Sequence, residues 1–145
     1  MKTILVTGGA GYIGSHACKA LKQAGYTPVT YDNLVTGWRD AVKFGPFEQG
    51  DLSDRARLDD VFAKHKPDAV MHFASLSQVG EAMSQPGLYW RNNVVGALTL
   101  MEAAVAEEEM VVEGRTKRVT MGEMLAEIVT IGPFRELRLL ELHTH

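Results

Sequence analysis

The sequence predicts an α/β fold, a doubly wound parallel sheet with helices on both faces. Three observations predict it: short apolar runs without alternation, stretches of helical period between them, and glycines crowded at the first junction. The 145 residues suffice for one core but hardly for two full domains. A chain that is 46% hydrophobic with net charge -3 falls outside the disordered, fibrous and strongly basic classes, so nucleic acid is not an expected partner. No apolar run approaches the roughly 18 residues of a membrane span, so no membrane partner is expected either. No signal segment is read ahead of the first strand, and the single Cys18, placed in an apolar helical pattern, reads as a buried bystander. The expected compartment is cytoplasmic and reducing.

The run TILVT at 3–7 reads as the first strand, covered on both faces. From Tyr12 to Ala24 the period becomes helical, with Ile13, Ala17, Ala20, Leu21 and Ala24 on one stripe and Gly25 as the stop. TPVTYDN follows as a second strand, its Pro28 near the start where no ladder bond is lost. PFEQGD at 46–51 is a short third strand. SDRARLDDVFAKH is a helix with a Ser or Asp cap and Leu58, Val61 and Phe62 on its inner face. After Lys66 and Pro67, DAVMHFAS is a fourth strand; QPGLYWRNNVVGALTLMEAAVA is then a loop and a long helix packed through Val94, Ala97, Leu98, Met101 and Val105. The expected strand order is 3-2-1-4. Beyond Ala106 the composition shifts toward glutamate, so 1–106 is taken as one unit and 107–145 as an unassigned tail. A hairpin from MVVEG to RVTMG and a helix near EMLAEIVTI are expected in that tail, which would cover the exposed edge of the fourth strand.

Gly8, Gly11 and Gly14 stand where a strand hands over to a helix inside a βαβ unit, with Asp32 ending the next strand 18 residues beyond Gly14. That context is the Rossmann-type dinucleotide fingerprint. Gly8 allows the tight turn, Gly11 lets main chain approach a pyrophosphate, and Gly14 lets the helix lie close on the sheet. The phosphates would meet the free N–H groups and positive dipole end of the helix from about Tyr12. Asp32 would accept from both adenosine ribose hydroxyls and repel a 2′-phosphate, so the expected cofactor is NAD unless a base such as Arg39 compensates. The alternative is a tight strand-to-helix turn that binds nothing, which leaves Asp32 unexplained.

The run TGGAGYIGSH, followed in order by YDNL, GDL, HFAS, VGEAM and NNVVGALTLMEA, resembles the amino-terminal part of the UDP-glucose 4-epimerase family, within the extended short-chain dehydrogenase/reductases. The resemblance spans about residues 1–106. It implies that Tyr12 and Ile13 offer backbone N–H groups to the pyrophosphate, and that Asp32, Asn33, Thr36 and Gly37 surround the adenosine ribose. It also implies that Asp51 and Leu52 hold the adenine, that Phe73, Ala74 and Ser75 run toward the nicotinamide ribose, and that Asn92 approaches it from the long helix. Ser77 is a departure, since some members carry Lys there as a cofactor contact. Other readings stay open: Asp51 as a helix-start residue, Asn92 as a helix cap, His72 as a hydrogen-bonded core histidine, Tyr89 and Trp90 as packing. The remaining histidines show no metal-ligand spacing.

The resemblance implies isomerase chemistry on bound NAD in galactose and nucleotide-sugar metabolism: C4 of the UDP-sugar substrate is oxidised to a 4-keto sugar, which turns over and is reduced on its other face. That cycle needs a Tyr of lowered pKa four residues before a Lys, and no Tyr-x-x-x-Lys occurs in the chain. The expectation is therefore an NAD-binding fragment without the catalytic base. Alternatives are another nucleotide-sugar dehydratase or epimerase of the same family, or a non-catalytic module that binds NAD or self-associates, for instance as a homodimer.

Overall fold

A computed structural model describes residues 1–106 and the backbone of 129–130. Five strands, β1 (Thr3–Thr7), β2 (Thr27–Asp32), β3 (Phe47–Gln49), β4 (Ala69–His72) and β5 (Val129–Thr130), form one sheet in the order β3-β2-β1-β4-β5. Every pairing is parallel. The expected 3-2-1-4 order is present, and β5 pairs with the edge of β4. Val129 and Thr130 are thus strand, not part of the helix expected near EMLAEIVTI, and the rest of that helix and the expected hairpin lie outside the described residues.

The crossovers are α1 (Tyr12–Gln23) and α2 (Arg55–His65). After β4 the chain runs through α3 (Val79–Ser84), α4 (Pro86–Trp90), a π-helical turn at Arg91–Val95 and α5 (Gly96–Ala106). Helix α1 stops where Gly25 enters the left-handed region at φ 88° and the amides of Gly25 and Tyr26 return to the carbonyls of Lys22 and Leu21, a Schellman closure. Helix α2 starts at Asp54, whose carboxylate accepts from the Arg57 amide at 3.0 Å. It ends on left-handed Lys66, just before Pro67.

Alternation along β1 divides the core between the two sheet faces. Leu5 joins Val29, Tyr31, Leu52, Leu58, Val61, Phe62, Val70, Leu100 and Ala103 on the side of α2 and α5. Ile4 and Val6 join Cys18 on the side of α1, backed by Leu21, Phe44, Ala69, Met71 and Phe73. Cys18 is buried, as its sequence context indicated.

Two packing stripes differ from expectation. Helix α1 buries Gly14 and Cys18, whereas Ile13, Ala20 and Ala24 are exposed. Helix α5 buries Gly96, Leu100 and Ala103, whereas Val94, Leu98 and Val105 are exposed. In each helix a glycine marks the closest approach, and the stripe runs i, i+4, i+7 from it; a methyl at Gly96 would stand 3.0 Å from Cβ of Leu52. The π turn before α5 also holds more residues per turn and shifts the phase of any stripe drawn through Val94. The fourth strand is shorter than DAVMHFAS suggests: Phe73, Ala74 and Ser75 have left the ladder. No helix among the described residues is long and apolar enough to cross a membrane.

Candidate functional site

The site lies at the carboxyl ends of β1, β2 and β4, where the strand order reverses on either side of β1. Gly8 turns off β1 at φ 71°, and its amide donates to the Tyr31 carbonyl at 2.8 Å. A side chain there would strike the Phe73–Ala74 backbone, with Cβ 2.6 Å from the Ala74 nitrogen. A methyl at Gly14 would collide with the Gly8 carbonyl oxygen, which is why the first turn of α1 can sit directly on the β1 turn. Gly9 presses on the Thr30 side chain, 2.8 Å from an added Cβ.

Gly11 is different. Among the described residues its added Cβ would meet the Gly8 carbonyl oxygen at 3.2 Å, a tight contact but without the outright clashes found at Gly8 and Gly14. Gly11 is also the N-cap of α1, and no side chain caps the helix there. The first-turn amides, those of Tyr12 and Ile13 among them, are thus left for an acceptor from outside the helix. Tyr12 is 82% exposed and its ring packs against His16 with centroids 4.7 Å apart.

Asp32 ends β2 and is 7% exposed. Its Oδ2 accepts from the Ala10 amide at 3.0 Å and its Oδ1 from the Leu34 amide at 2.8 Å. Leu34 is held left-handed at φ 62°. A carboxylate offers about four acceptor sites, so each oxygen keeps one in reserve. Gly37 lies against this carboxylate, and Thr36 beside it is exposed. The Trp38 amide donates to the Ala10 carbonyl at 3.0 Å, closing the 34–38 loop over the glycine turn.

The ends of β2 and β3 meet through Asn33, whose Nδ2 donates to Asp51 Oδ2 at 2.8 Å. Asp51 Oδ1 accepts from the amide and hydroxyl of Ser53. The Ser53 amide and then Asn33 hold the Asp51 carboxyl below its ordinary pKa against the opposing effect of burial. Asp51 is no helix cap, since Asp54 takes that place. The side chain of Leu52 is in the core, so only its main chain is available to a ligand.

Past β4, the Phe73 amide donates to the Thr7 carbonyl, and Ser75 and Ser77 are exposed. Asn92 sits inside the π turn without a capping bond; its Nδ2 donates to Asn93 Oδ1 at 2.8 Å. Asn93 ties the loop down, accepting from the Leu76 amide and donating to the Leu76 carbonyl, both at 2.9 Å. His72 is a hydrogen-bonded, partly buried histidine, its Nδ1 2.6 Å from the Thr7 hydroxyl, and burial lowers its pKa. The Tyr89 hydroxyl bonds Gln78 and Glu81, which fits packing between α3 and α4. No cluster among the described residues could hold a metal ion.

The structure thus gathers Gly8, Gly11, Gly14, Asp32, Asn33, Gly37 and Asp51 at the carboxyl ends of β1, β2 and β3. The sequence reading missed Ala10 and Leu34, whose contribution is a backbone amide and so carries no side-chain signal, and Asn93, overlooked beside Asn92.

Residues 4–119 match the model of the NAD dependent epimerase/dehydratase family, 13 residues past the boundary drawn at Ala106. The chain is 56% identical over 105 residues to a UDP-glucose 4-epimerase of Rhizobium leguminosarum bv. trifolii, covering 72% of this chain and 32% of that relative. A UDP-glucose 4-epimerase of Lacticaseibacillus casei is 41% identical over 94% of this chain and 44% of its own length. The crystal structure of UDP-glucose 4-epimerase from Brucella ovis in complex with NAD superposes with a TM-score of 0.72 at 48% identity, over 73% of this chain and 33% of that one. The chain spans about a third of the length of the R. leguminosarum relative.

Proposed function

Because the chain belongs to the NAD dependent epimerase/dehydratase family, we propose that its residues 1–106 bind NAD as the cofactor part of a UDP-glucose 4-epimerase. The observation that carries the reading is the pairing of an uncapped helix start at Gly11 with a buried carboxylate, Asp32, that keeps acceptor capacity on both oxygens. The residues present fit the cofactor. Bare main chain at Gly11 admits a pyrophosphate, and the amides of Tyr12 and Ile13 supply its donors. Asp32 has two acceptor sites for two vicinal hydroxyls, with Asn33, Thr36 and Gly37 beside them, and its negative charge disfavours a 2′-phosphate. Asp51 keeps one site for the adenine amino group, next to the Leu52 main chain. Phe73, Ala74, Ser75, Ser77 and Asn92 stand on the side toward the nicotinamide half.

When bound, NAD supplies a reversible hydride acceptor. The chain's own residues bind it and orient it. The substrate in this reading is a UDP-sugar, interconverted between UDP-galactose and UDP-glucose, and the support is the names of the relatives. The proton step at the C4 hydroxyl has no Tyr-x-x-x-Lys in these 145 residues to perform it. The same proposal takes 107–145 as a tail that joins the edge of the NAD-binding sheet through Val129 and Thr130, and places the protein in the cytoplasm. The exposed Val94, Leu98 and Val105 support self-association as a homodimer.

Calorimetric titration of the 145-residue chain with NAD, beside an assay of UDP-galactose turnover, tests the reading. Saturable NAD binding without turnover is expected; no binding overturns the cofactor assignment, and turnover overturns the view that the base is missing.

A further inference from the structure

The carboxylate of Asp32 is fixed from three sides. The Ala10 amide holds Oδ2 and the Leu34 amide holds Oδ1. The third side is Gly37, where an added Cβ would stand 2.8 Å from Oδ1 of Asp32, 3.1 Å from its Cγ and 2.9 Å from Cβ of Ala10. Real Cβ atoms essentially never come this close, so any residue but glycine must displace the carboxylate or lift the loop. Lifting is resisted at both ends. Leu34 already occupies a left-handed conformation in which its amide meets Asp32, and the Trp38 amide is bonded to the Ala10 carbonyl. Asn33 adds two ties, accepting from the Val35 amide at 3.1 Å and donating to Asp51. Gly37 does not have a left-handed φ, so the backbone itself does not require glycine there. What requires glycine is the space occupied by the carboxylate.

The geometry points to Gly37 as a positioning residue that sets cofactor specificity through Asp32: by lacking a side chain it lets the carboxylate stand where both ribose hydroxyls are read. This rests on the NAD reading above. Gly37 touches the group that reads the ribose, so its effect falls on discrimination at the ribose and leaves the pyrophosphate contacts at Gly11 to Ile13 alone.

The test compares the affinities of NAD and 2′-deoxy-NAD, modified on the adenosine ribose, for the 145-residue chain and its Gly37→Ala variant. The unsubstituted chain binds NAD about tenfold more tightly than 2′-deoxy-NAD, the worth of one hydrogen bond to a charged acceptor. In Gly37→Ala the affinity for NAD falls about a hundredfold and that for the deoxy analogue, which has only the 3′-hydroxyl bond to lose, about tenfold, so the preference vanishes. Ala10→Gly/Gly37→Ala removes the second wall and leaves only the carboxylate contact; it shows the same loss and serves if the single variant does not fold. Gly80→Ala, whose added Cβ meets nothing within 4 Å among the described residues, keeps the original preference. A variant at Gly37 that retains the preference, or that weakens both ligands equally, overturns the inference. Absence of NAD binding to the unsubstituted chain is the separate failure of the functional reading and removes the inference with it.

Discussion

Asp32 and Glu48 are both buried carboxylates next to the same pair of strands, yet their surroundings are opposite. Glu48, on β3, is met by three side chains of α2: the cations Arg57 on Oε2 and Lys64 at 2.7 Å on Oε1, and the His65 imidazole at 2.6 Å on Oε1. Burial pushes its pKa up, but the hydrogen bonds from His65, Lys64 and Arg57 outweigh that and bring it down to about 2. Asp32 is met only by two backbone amides and faces no salt-bridging cation among the described residues. One carboxylate is used up by the chain's own charge and staples a helix to an edge strand. The other is held in place yet left with acceptor capacity, which is what a site for hydroxyl groups needs. Burial of charge therefore does not by itself mark a site; the spare acceptor sites do.

The comparison breaks most visibly at Glu48. Glu48→Gln should lower unfolding free energy by about 2 kcal/mol, the worth of hydrogen bonds to a charged group whose cationic partners are partly exposed, read as a lower urea midpoint with unchanged slope, while NAD affinity stays within twofold. Acid gives the same contrast without a mutation. With the folded pKa near 2 against 4.5 when unfolded, the unfolded chain binds more protons between those values. The stabilisation by Glu48 is complete above pH 4.5 and is lost as pH falls toward 2; Glu48→Gln should flatten that decline.

Asp32→Ala should do the reverse in function, weakening NAD binding about a hundredfold through two lost charge-assisted hydrogen bonds, as measured by calorimetry. Asn93→Ala comes next. Releasing both ties to Leu76 should cost about 1 to 2 kcal/mol and raise amide exchange at Leu76. Lys64→Ala should be the mildest, below about 0.5 kcal/mol in the same urea experiment, because that side chain is 64% exposed and screened by solvent.

The order of strands and helices, the glycine turn and Asp32 were legible because each rests on a local cause: an apolar run, a required backbone shape, or a charge at a fixed spacing. The buried faces of α1 and α5 were not. Hydrophobic size points to Ile13 and Val94, but the close approach of backbone at Gly14 and Gly96 sets the phase, and that depends on what lies opposite, Gly8 and Leu52. The hold on Asp32 was illegible for another reason, since the donors are the amides of Ala10 and Leu34, which any residue would carry. Asn92 and Asn93 are adjacent and chemically identical, and only the π turn determines which one meets Leu76. For 107–128 and 131–145 the hairpin and helix remain sequence expectations.

The central claim is that an outside phosphate group meets bare main chain at the start of α1 while Asp32 takes the ribose. Hydrogen exchange with and without saturating NAD measures it directly. The amides of residues 8 to 15, with that of Leu34, should gain protection together, and those around Glu48 and α2 should not change. Unchanged exchange at 8 to 15 under saturating NAD would contradict the account.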